Sequence, residues 1–265
     1  MRDPVVVITG ASSGIGAALA RRVSADGGRC VLAARREPEL SEVATACGAG
    51  CRTVVADVTR RGDVRRVFDT ALAEFGRVDV WVNNAGRGIT RPVSALTDAD
   101  FDEMMLVNVK SALYGMQVVL PHYKQRGDGH IINVSSMLSR IPFAPSRSAY
   151  NAAKHALNAL TASLRIELRG EFPGIHVSTV LPGVVATEFG VHALGGGVDS
   201  RVMPGAQPVD EVAEVILGVI REPRADVYTR EHYRDNVVAY FAAADMAAFE
   251  AGLPGAPPAA PAPPR

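Results

Sequence analysis

The sequence predicts an α/β fold: a doubly wound, mostly parallel seven-stranded sheet in a three-layer α/β/α arrangement. Three observations support this prediction. Short β-branched runs alternate with longer amphipathic stretches, a pattern that favours parallel strands joined by right-handed crossovers. The runs are nearly all apolar, as a sheet covered on both faces requires. A glycine-rich turn, "TGASSGIG" (9–16), joins the first run to the first helix. Together these features indicate one Rossmann-like domain.

The elements follow in strict order along the chain. The first two runs, "VVVITG" and "CVLAAR", have strand length, and each precedes a stretch with apolar residues at helical spacing. The predicted strands span 5–10, 30–35, 52–58, 78–86, 129–136, 175–183 and 225–230. The predicted helices span 15–26, 37–47, 62–75, 98–126, 149–169 and 208–221.

No break in composition divides the chain before its end, so we expect a single domain over 1–250. The irregular Gly-rich segment at 187–207 follows the sixth strand, and its length is typical of a substrate-binding loop. The segment at 251–265 is rich in Pro and Ala and lacks an apolar period. Such a composition predicts a disordered tail.

The composition excludes several classes of partner. The 28 basic and 28 acidic residues balance, so nothing predicts binding to a nucleic acid. Cys30, Cys47 and Cys51 have no histidines at metal-ligand spacing, so we expect reduced thiols and no metal site. Neither a signal peptide nor an apolar run of membrane-spanning length occurs. We therefore expect a cytoplasmic protein.

The turn after the first strand is suited to binding a phosphate group. Gly10 permits a tight turn, while Gly14 and Gly16 leave room for a pyrophosphate and for close contact between helix and strand. The N-terminus of the helix that follows offers free N–H groups to an anion. The spacing G-x-x-x-G-x-G differs from the G-x-G-x-x-G fingerprint. The alternative is a plain tight turn.

The residues after the second strand predict which dinucleotide binds. Proteins that bind NAD place a carboxylate there, about 20 residues after the glycines, to hold the ribose hydroxyls. This chain has Arg35 and Arg36 instead. Because a guanidinium matches phosphate geometry, they favour the 2′-phosphate of NADP(H) over NAD(H). The alternative is a solvated helix start in which both arginines pair with Glu37 or Glu39.

The segment "SAYNAAK" carries the chemistry. Tyr150 and Lys154 are four residues apart on a predicted helix, so their side chains lie on one face. An ammonium near a phenol stabilises the phenolate and lowers its pKa from about 10. Ser135 and Ser136 end a strand at the carboxyl edge of the sheet, where ligands bind. We expect Ser135 to be the N-cap of the segment that follows.

The order and spacing of these motifs resemble those of short-chain dehydrogenases/reductases of the common, roughly 250-residue type. The motifs that carry the resemblance are "TGASSGIG", "NNAG" (83–86), Asn108, the serine pair, "YNAAK" (150–154) and "PG" (182–183).

The resemblance implies a catalytic set. Tyr150 would protonate the substrate oxygen as hydride arrives, Lys154 would lower the pKa of Tyr150 and hold the nicotinamide ribose, and Ser136 would stabilise the carbonyl. Asn108 would anchor a water that relays protons, or alternatively would only cap a turn. The spacing from Ser136 to Tyr150 is one residue longer than is common in the family, so Ser135 is the alternative catalytic serine.

The cofactor site combines the loop argument with the resemblance. The loop argument contributes Gly10, Gly14, Gly16, Arg35 and Arg36. The positions that the resemblance implies are Ser12, Ser13, Ile15, Asp57, Val58, Asn84, Ala85, Gly86, Tyr150, Lys154, Pro182, Gly183, Val185 and Thr187.

The expected substrate pocket is mostly apolar, which favours a hydrophobic ketone or secondary alcohol. Its candidate lining residues are Ser136, Met137, Leu138, Phe143, Phe189 and His192. Arginines at the entrance would instead attract an acyl thioester carrier, as in a 3-oxoacyl thioester reductase; they are Arg87, Arg91, Arg140 and Arg147. The resemblance also implies a homodimer or homotetramer assembled through helices 98–126 and 149–169.

Two other function classes compete with a reductase. A nucleotide sensor would hold NADP(H) without turnover, but it has no need of Ser136, Tyr150 and Lys154 together. A sugar-nucleotide epimerase or dehydratase would carry a differently spaced glycine loop and a larger C-terminal substrate domain. We therefore expect an NADP(H)-dependent oxidoreductase.

Overall fold

A computed structural model describes residues 3–252. The predicted Pro/Ala-rich tail lies outside the described residues beyond position 252. Within the described part, the sheet has seven strands, all parallel, in the order β3-β2-β1-β4-β5-β6-β7. The strands are β1 Val5–Thr9, β2 Arg29–Ala34, β3 Cys51–Val55, β4 Val80–Asn83, β5 Gly129–Val134, β6 Ile175–Leu181 and β7 Asp226–Tyr228. The predicted doubly wound fold is confirmed.

Nine α-helices occur among residues 3–252. They are α1 Gly14–Ala25, α2 Glu37–Cys47, α3 Arg61–Phe75, α4 Asp98–Met105, α5 Ser111–Arg126, α6 Ser148–Leu168, α7 Val209–Arg221, α8 Glu231–Ala242 and α9 Met246–Ala251. None of them is long and apolar enough to cross a membrane.

Helices cover both faces of the sheet, which explains why the strands are apolar throughout. Val6 and Ile8 of β1 pack with α1, α2 and α7 on one face. Val7, between them in sequence, packs with α3 and α5 on the other. All five side chains of β1 are buried. Alternate residues therefore serve two cores, as the period of a strand dictates.

Two features of the helices were not predicted. The stretch 98–126 is helical throughout, as expected, but a π-helical turn at Leu106–Lys110 lies between α4 and α5. Helices α8 and α9 had no counterpart in the sequence prediction. Only Val237 and Tyr240 are buried in α8, so its sequence lacks a broad apolar face. Both outcomes depend on tertiary contacts rather than on local periodicity.

A buried carboxylate connects strands at the amino edge of the sheet. Asp79, whose side chain is only 3% exposed, precedes β4 and accepts the N–H of Val5 at 2.8 Å. Arg77 Nε and Arg126 Nη2 approach its two oxygens at 2.8 and 2.9 Å. Burial raises the pKa of Asp79, but the hydrogen bonds from Arg77, Val5 and Arg126 outweigh it and hold that pKa below its usual value. Arg77 and Arg126 therefore neutralise the negative charge of Asp79 within the protein.

Candidate active site

Loops that follow β1, β4, β5 and β6 meet at the carboxyl edge of the sheet, where ligands bind in doubly wound folds. Helix α6 carries Tyr150 and Lys154 to the same edge. Lys154 Nζ lies 5.7 Å from the centre of the Tyr150 ring and donates a hydrogen bond to the carbonyl of Val134 at 2.9 Å. Both side chains are buried. The end of β5 thus fixes the ammonium beside the phenol.

Burial dominates the protonation of this pair. It raises the pKa of Tyr150 to about 12, while a hydrogen bond with Ser136 and the charge of Arg147 act in the opposite direction. Burial also lowers the pKa of Lys154 to about 8. The expected fall in the Tyr150 pKa is thus reversed in this structure, because the desolvation of the phenolate outweighs its favourable contacts.

Ser136, and not Ser135, is among the groups that lower the pKa of Tyr150. Ser136 Oγ also accepts the N–H of Leu138 at 3.1 Å and caps the short 3₁₀ turn Met137–Ser139. The prediction that Ser135 is the N-cap was therefore wrong. Its hydroxyl is buried and has no hydrogen-bond partner among residues 3–252.

Asn108 lies within the π-helical turn and is buried. Its side chain pairs with the backbone of Arg87, accepting the N–H at 3.2 Å and donating to the carbonyl at 2.9 Å. A Cβ on Gly86 would lie 2.9 Å from Asn108 Oδ1 and 3.6 Å from Lys154 Nζ. Glycine at 86 therefore allows both side chains to approach the loop that follows β4.

The phosphate loop is held by the loop after β4. Gly10 has φ +66° and a Cβ there would lie 2.8 Å from the Cα of Ala85. Asn84 Nδ2 donates to the carbonyls of Thr9 and Gly10 at 3.0 and 3.2 Å, and its N–H donates to Thr9 Oγ1 at 3.0 Å. The Asn84 amide thus supports the loop directly. Sequence reasoning missed Thr9, although it immediately precedes the first glycine.

The N-terminus of α1 faces the loop after β6. Gly14 has φ +54°, and a Cβ there would lie 3.2 Å from Thr187 Cγ2. Ser13 is the N-cap, but its side chain does not cap the helix. A Cβ on Gly16 would lie 2.5 Å from the carbonyl oxygen of Gly10, so this glycine serves the loop's own packing. Ile15 packs against the neighbouring core.

The structure separates the two arginines that follow β2. Arg36 Nη2 donates to Ser13 Oγ at 2.8 Å and to Ser12 Oγ at 3.2 Å. Its Nη1 lies 3.1 Å from Glu39 Oε1, so the alternative pairing is present as well. Arg35 is exposed and makes no side-chain hydrogen bond within residues 3–252. Only Arg36 is brought to the phosphate loop.

The residues after β3 have partners of their own. Asp57 Oδ1 accepts the N–H and the hydroxyl of Thr59 at 3.0 and 2.7 Å, and the N–H of Asp57 donates to Asp63 Oδ2 at 2.9 Å. The side chain of Val58 packs against the core of the α3 and α5 face. The side chain of Val58 therefore does not face the expected cofactor site, and only its backbone could contact a ligand there.

Gln207 contacts the segment that follows β6 at two positions. The Gly183 N–H donates to Gln207 Oε1 at 3.2 Å, and Pro182 accepts the N–H of Met137 at 2.8 Å. A Cβ on Gly183 would lie 2.2 Å from Tyr233 Oη of α8. Val185 pairs with the same glutamine through a short backbone bridge. Sequence reasoning missed Gln207 and Tyr233, since neither belongs to a motif.

The predicted substrate residues divide into two groups. Phe189 is brought to the site, with its ring 5.6 Å from that of Tyr150. Leu138 packs against the buried hydrophobic cluster that contains Tyr150. Met137 and Phe143 instead pack with α8. His192 is also not brought to Tyr150, because it is exposed and pairs with Glu188 at 3.3 Å.

The structure also brings Arg147 close to Tyr150, whose pKa its positive charge lowers against the larger effect of burial. Sequence reasoning placed Arg147 only among arginines at the entrance. No group of three or more His, Cys, Asp or Glu within residues 3–252 is arranged to hold a metal ion.

This fold and site have counterparts among known proteins. A family model described as short chain dehydrogenase matches residues 4–193. An uncharacterized oxidoreductase of Staphylococcus saprophyticus is 34% identical over 228 residues, which cover 84% of this chain and 92% of that protein.

Two solved structures are similar over nearly the whole chain. A short chain dehydrogenase/reductase from Burkholderia phymatum in complex with NAD has a TM-score of 0.83 at 28% identity, covering 91% of this chain and 93% of that one. A short chain dehydrogenase from Burkholderia cenocepacia in complex with NADP has a TM-score of 0.78 at 28% identity, covering 96% and 99%. The chain therefore belongs to the short-chain dehydrogenase family of oxidoreductases.

Proposed function

We propose that the protein interconverts a carbonyl compound and a secondary alcohol with NADP(H), using Tyr150 as the acid and base. One observation carries this proposal: Tyr150 and Lys154 are both buried on one face of α6, with Lys154 Nζ 5.7 Å from the centre of the Tyr150 ring, and Ser136 acts on the pKa of Tyr150. The arrangement lies at the same sheet edge as the phosphate loop. A proton donor and a dinucleotide would therefore meet in one cleft.

The loop after β1 fits a dinucleotide. Its glycines leave a backbone cradle at the open N-terminus of α1, where free N–H groups and the helix dipole favour phosphate. The two similar solved structures, which hold NAD and NADP, support a nicotinamide cofactor. The backbones of Ser12, Ser13 and Ile15 would hold the pyrophosphate. When bound, the nicotinamide supplies or accepts a hydride.

Arg36 supports the preference for NADP(H). Its Nη2 donates to the hydroxyls of Ser12 and Ser13, so one cation and two hydroxyls lie next to each other at the phosphate loop. A 2′-phosphate has the charge and the acceptor oxygens that such a cluster binds. Positions 35 and 36, which follow β2, hold no carboxylate to accept ribose hydroxyls. Arg36 and the two serines would thus favour NADP(H).

Tyr150, Ser136 and Lys154 would together carry out the proton transfer. With a pKa raised to about 12, Tyr150 is protonated at neutral pH and can donate to a carbonyl oxygen as its carbon receives the hydride. Ser136 would hydrogen-bond the same oxygen and stabilise its developing charge. Lys154, with a pKa of about 8, keeps most of its positive charge at pH 7 and would stabilise the phenolate left behind.

The test is to follow nicotinamide absorbance with NADPH or NADH over a panel of ketones and alcohols. Tyr150→Phe is expected to lower kcat/KM about 1,000-fold, because the proton donor is lost. The matched control is Tyr114→Phe, on a half-buried tyrosine of α5 away from the site. Full activity in Tyr150→Phe would refute the proposed role of this hydroxyl.

The cofactor preference has its own variants. Arg36→Leu is expected to lower the ratio of kcat/KM for NADPH to that for NADH by roughly 10- to 100-fold, as for other hydrogen bonds to a charged group. Arg35→Leu is the matched control and should change the ratio less, since Arg35 does not reach the loop. An unchanged ratio in Arg36→Leu would refute the proposed role of Arg36 in the preference for NADPH.

A further inference from the structure

Arg147 comes from a firmly held turn before α6. The N–H of Arg91 donates to the carbonyl of Ser146 at 2.7 Å, and Ser148 Oγ donates to the carbonyl of Arg91 at 2.8 Å. These bonds anchor the backbone on both sides of Arg147. The arginine is therefore presented from a fixed position, three residues before Tyr150.

The Arg147 guanidinium lies between two glycines beside the catalytic tyrosine. Its Nη1 donates to the carbonyl of Ile89 at 3.2 Å. A Cβ on Gly88 would lie 3.0 Å from Arg147 Nη1 and 2.8 Å from Phe189 Cε1, and one on Gly197 would lie 3.3 Å from Arg147 Nη2. Phe189 in turn packs edge-on against Tyr150. Arg147 and Tyr150 therefore border the same space.

Arg147 differs from the other arginines near the entrance. Arg87 pairs with Glu103, Arg91 with Asp100 at 3.0 Å, and Arg140 with Asp226 at 2.8 Å. Arg147 has no carboxylate within 4.0 Å in the described part of the chain.

The unpaired cation is also half-buried, and burial lowers the pKa of the Arg147 guanidinium. Removing a cation from water without a counter-ion is unfavourable. A bound anion would supply the missing charge. The Ile89 carbonyl takes only one of the five N–H groups of the guanidinium, so a fork of donors is left for such a ligand.

We propose that Arg147 binds a carboxylate of the substrate, so that the natural substrates are oxo acids and the corresponding hydroxy acids. This inference rests on the proposed function, because the carbonyl would face Tyr150 and Ser136 while the guanidinium holds the acid group. A single guanidinium matches the geometry and single charge of a carboxylate, whereas a phosphate carries nearly two charges. The sequence prediction of an uncharged hydrophobic ketone changes accordingly.

The test compares 2-, 3- and 4-oxo acids with their methyl esters, which differ in charge at one group. With NADPH and the full chain, at least one acid should exceed its ester about tenfold or more in kcat/KM. Arg147→Gln should lower that acid-to-ester ratio by roughly 10- to 100-fold, mostly through KM. Any effect of the arginine on Tyr150 acts on acid and ester alike, so it cancels in the ratio.

Two further variants sharpen the comparison. Arg147→Lys should keep part of the preference, because an ammonium retains the charge but not the bidentate fork. Arg140→Gln, which removes an arginine already paired with Asp226, should leave the ratio unchanged. An unchanged ratio in Arg147→Gln, or a wild-type enzyme that prefers no acid over its ester, would overturn the inference.

Calorimetry separates this inference from the proposed function. Short hydroxy acids and their methyl esters are titrated into the wild-type and Arg147→Gln chains, with and without NADP. Tighter binding of an acid that disappears in Arg147→Gln would support the inference even if no compound is turned over, in which case the proposed function fails alone. Tyr150-dependent turnover of ketones without any preference for acids would overturn the inference and leave the proposed function standing.

Discussion

The two edges of the sheet bury charge in different ways. At the amino edge, Asp79 accepts hydrogen bonds from Arg77, Arg126 and the Val5 N–H, so its charge is neutralised within the fold. At the carboxyl edge, Lys154 is equally buried but has only the carbonyl of Val134 as a hydrogen-bond partner among the described residues. The amino edge thus pairs its buried carboxylate with two cations, whereas the buried ammonium of the carboxyl edge contacts only a neutral carbonyl.

This difference separates groups that stabilise the fold from groups that serve ligands. A buried ion that is fully paired within the protein has nothing left to offer a ligand, but its loss leaves the partners unpaired. A buried ion without a counter-charge reduces the free energy of unfolding, and proteins keep such strain at functional sites. Substitutions at the amino edge should therefore affect stability, and substitutions at the carboxyl edge should affect activity.

The largest expected effect on stability is that of Asp79→Asn. The amide leaves Arg77 and Arg126 without their counter-ion, so the free energy of unfolding should fall by about 3 kcal/mol, the lower end for a broken buried pair. Both guanidiniums are partly exposed, which limits the loss. Chemical denaturation at pH 7 measures it, and the kcat/KM of the folded fraction is expected to stay at the wild-type level.

Asp69→Asn is the matched control for this change. Asp69 forms an exposed i,i+4 pair with Arg65 on α3, and such pairs contribute roughly 0.5 kcal/mol or less. If Asp79→Asn were no more destabilising than Asp69→Asn, the amino-edge cluster would not have the stabilising role assigned to it.

The next effect is opposite in sign. Lys154→Met keeps a side chain of similar length but removes the buried ammonium, so the free energy of unfolding at pH 7 should rise by about 1 kcal/mol or more. Activity should fall at least about 100-fold, because the phenolate loses its stabilising charge. The variant would thus gain stability while losing function.

The pH dependence gives an independent check on Lys154. Its pKa is about 8 in the folded protein and about 10.5 in the unfolded chain, so between these values the unfolded state binds more protons. Lys154 should therefore contribute a rise of stability with pH across this window, so the stability of the wild type relative to Lys154→Met should increase from about pH 8 to about pH 10.5. Lys124→Met, which removes an ammonium 4.0 Å from Glu167, should keep the contribution of Lys154 and follow the wild type. A loss of stability in Lys154→Met would contradict the comparison.

Local patterns predicted the elements that local physics determines. Apolar runs gave the seven strands, and the spacing of Tyr150 and Lys154 placed both on one face of α6. The π-helical turn around Asn108 was not predictable in this way, because "MMLVNVK" continues the helical period of its neighbours. Its extra residue is visible only in the hydrogen-bond register.

Pairing between distant residues explains the remaining failures. In sequence, Arg147 is indistinguishable from Arg140, since both lie in the loop between β5 and α6. Arg140 is neutralised by Asp226, which lies 86 residues further on in β7. Which arginine is left without a carboxylate is therefore decided by the tertiary fold. The same holds for Gln207, whose contact with Gly183 is set by how the loop after β6 returns to the sheet.

The smallest expected effect concerns His130, which belongs to the amino-edge half of the comparison. Burial lowers the pKa of His130 to about 3, well below its value of about 6.5 in the unfolded chain. Between these values the unfolded state binds the extra proton, so stability is lost as the pH falls below about 6.5. From pH 7.5 to 5.5 this amounts to about 1 kcal/mol, and His130→Asn should lose about that much less over the same interval.

His155→Asn, at an exposed position of α6, serves as the control and should follow the wild type. Unfolding by urea at the two pH values measures the difference regardless of any constant loss from the broken contact between His130 and Ser178. An acid-side loss identical in His130→Asn and the wild type would show that this buried imidazole takes up its proton without unfolding.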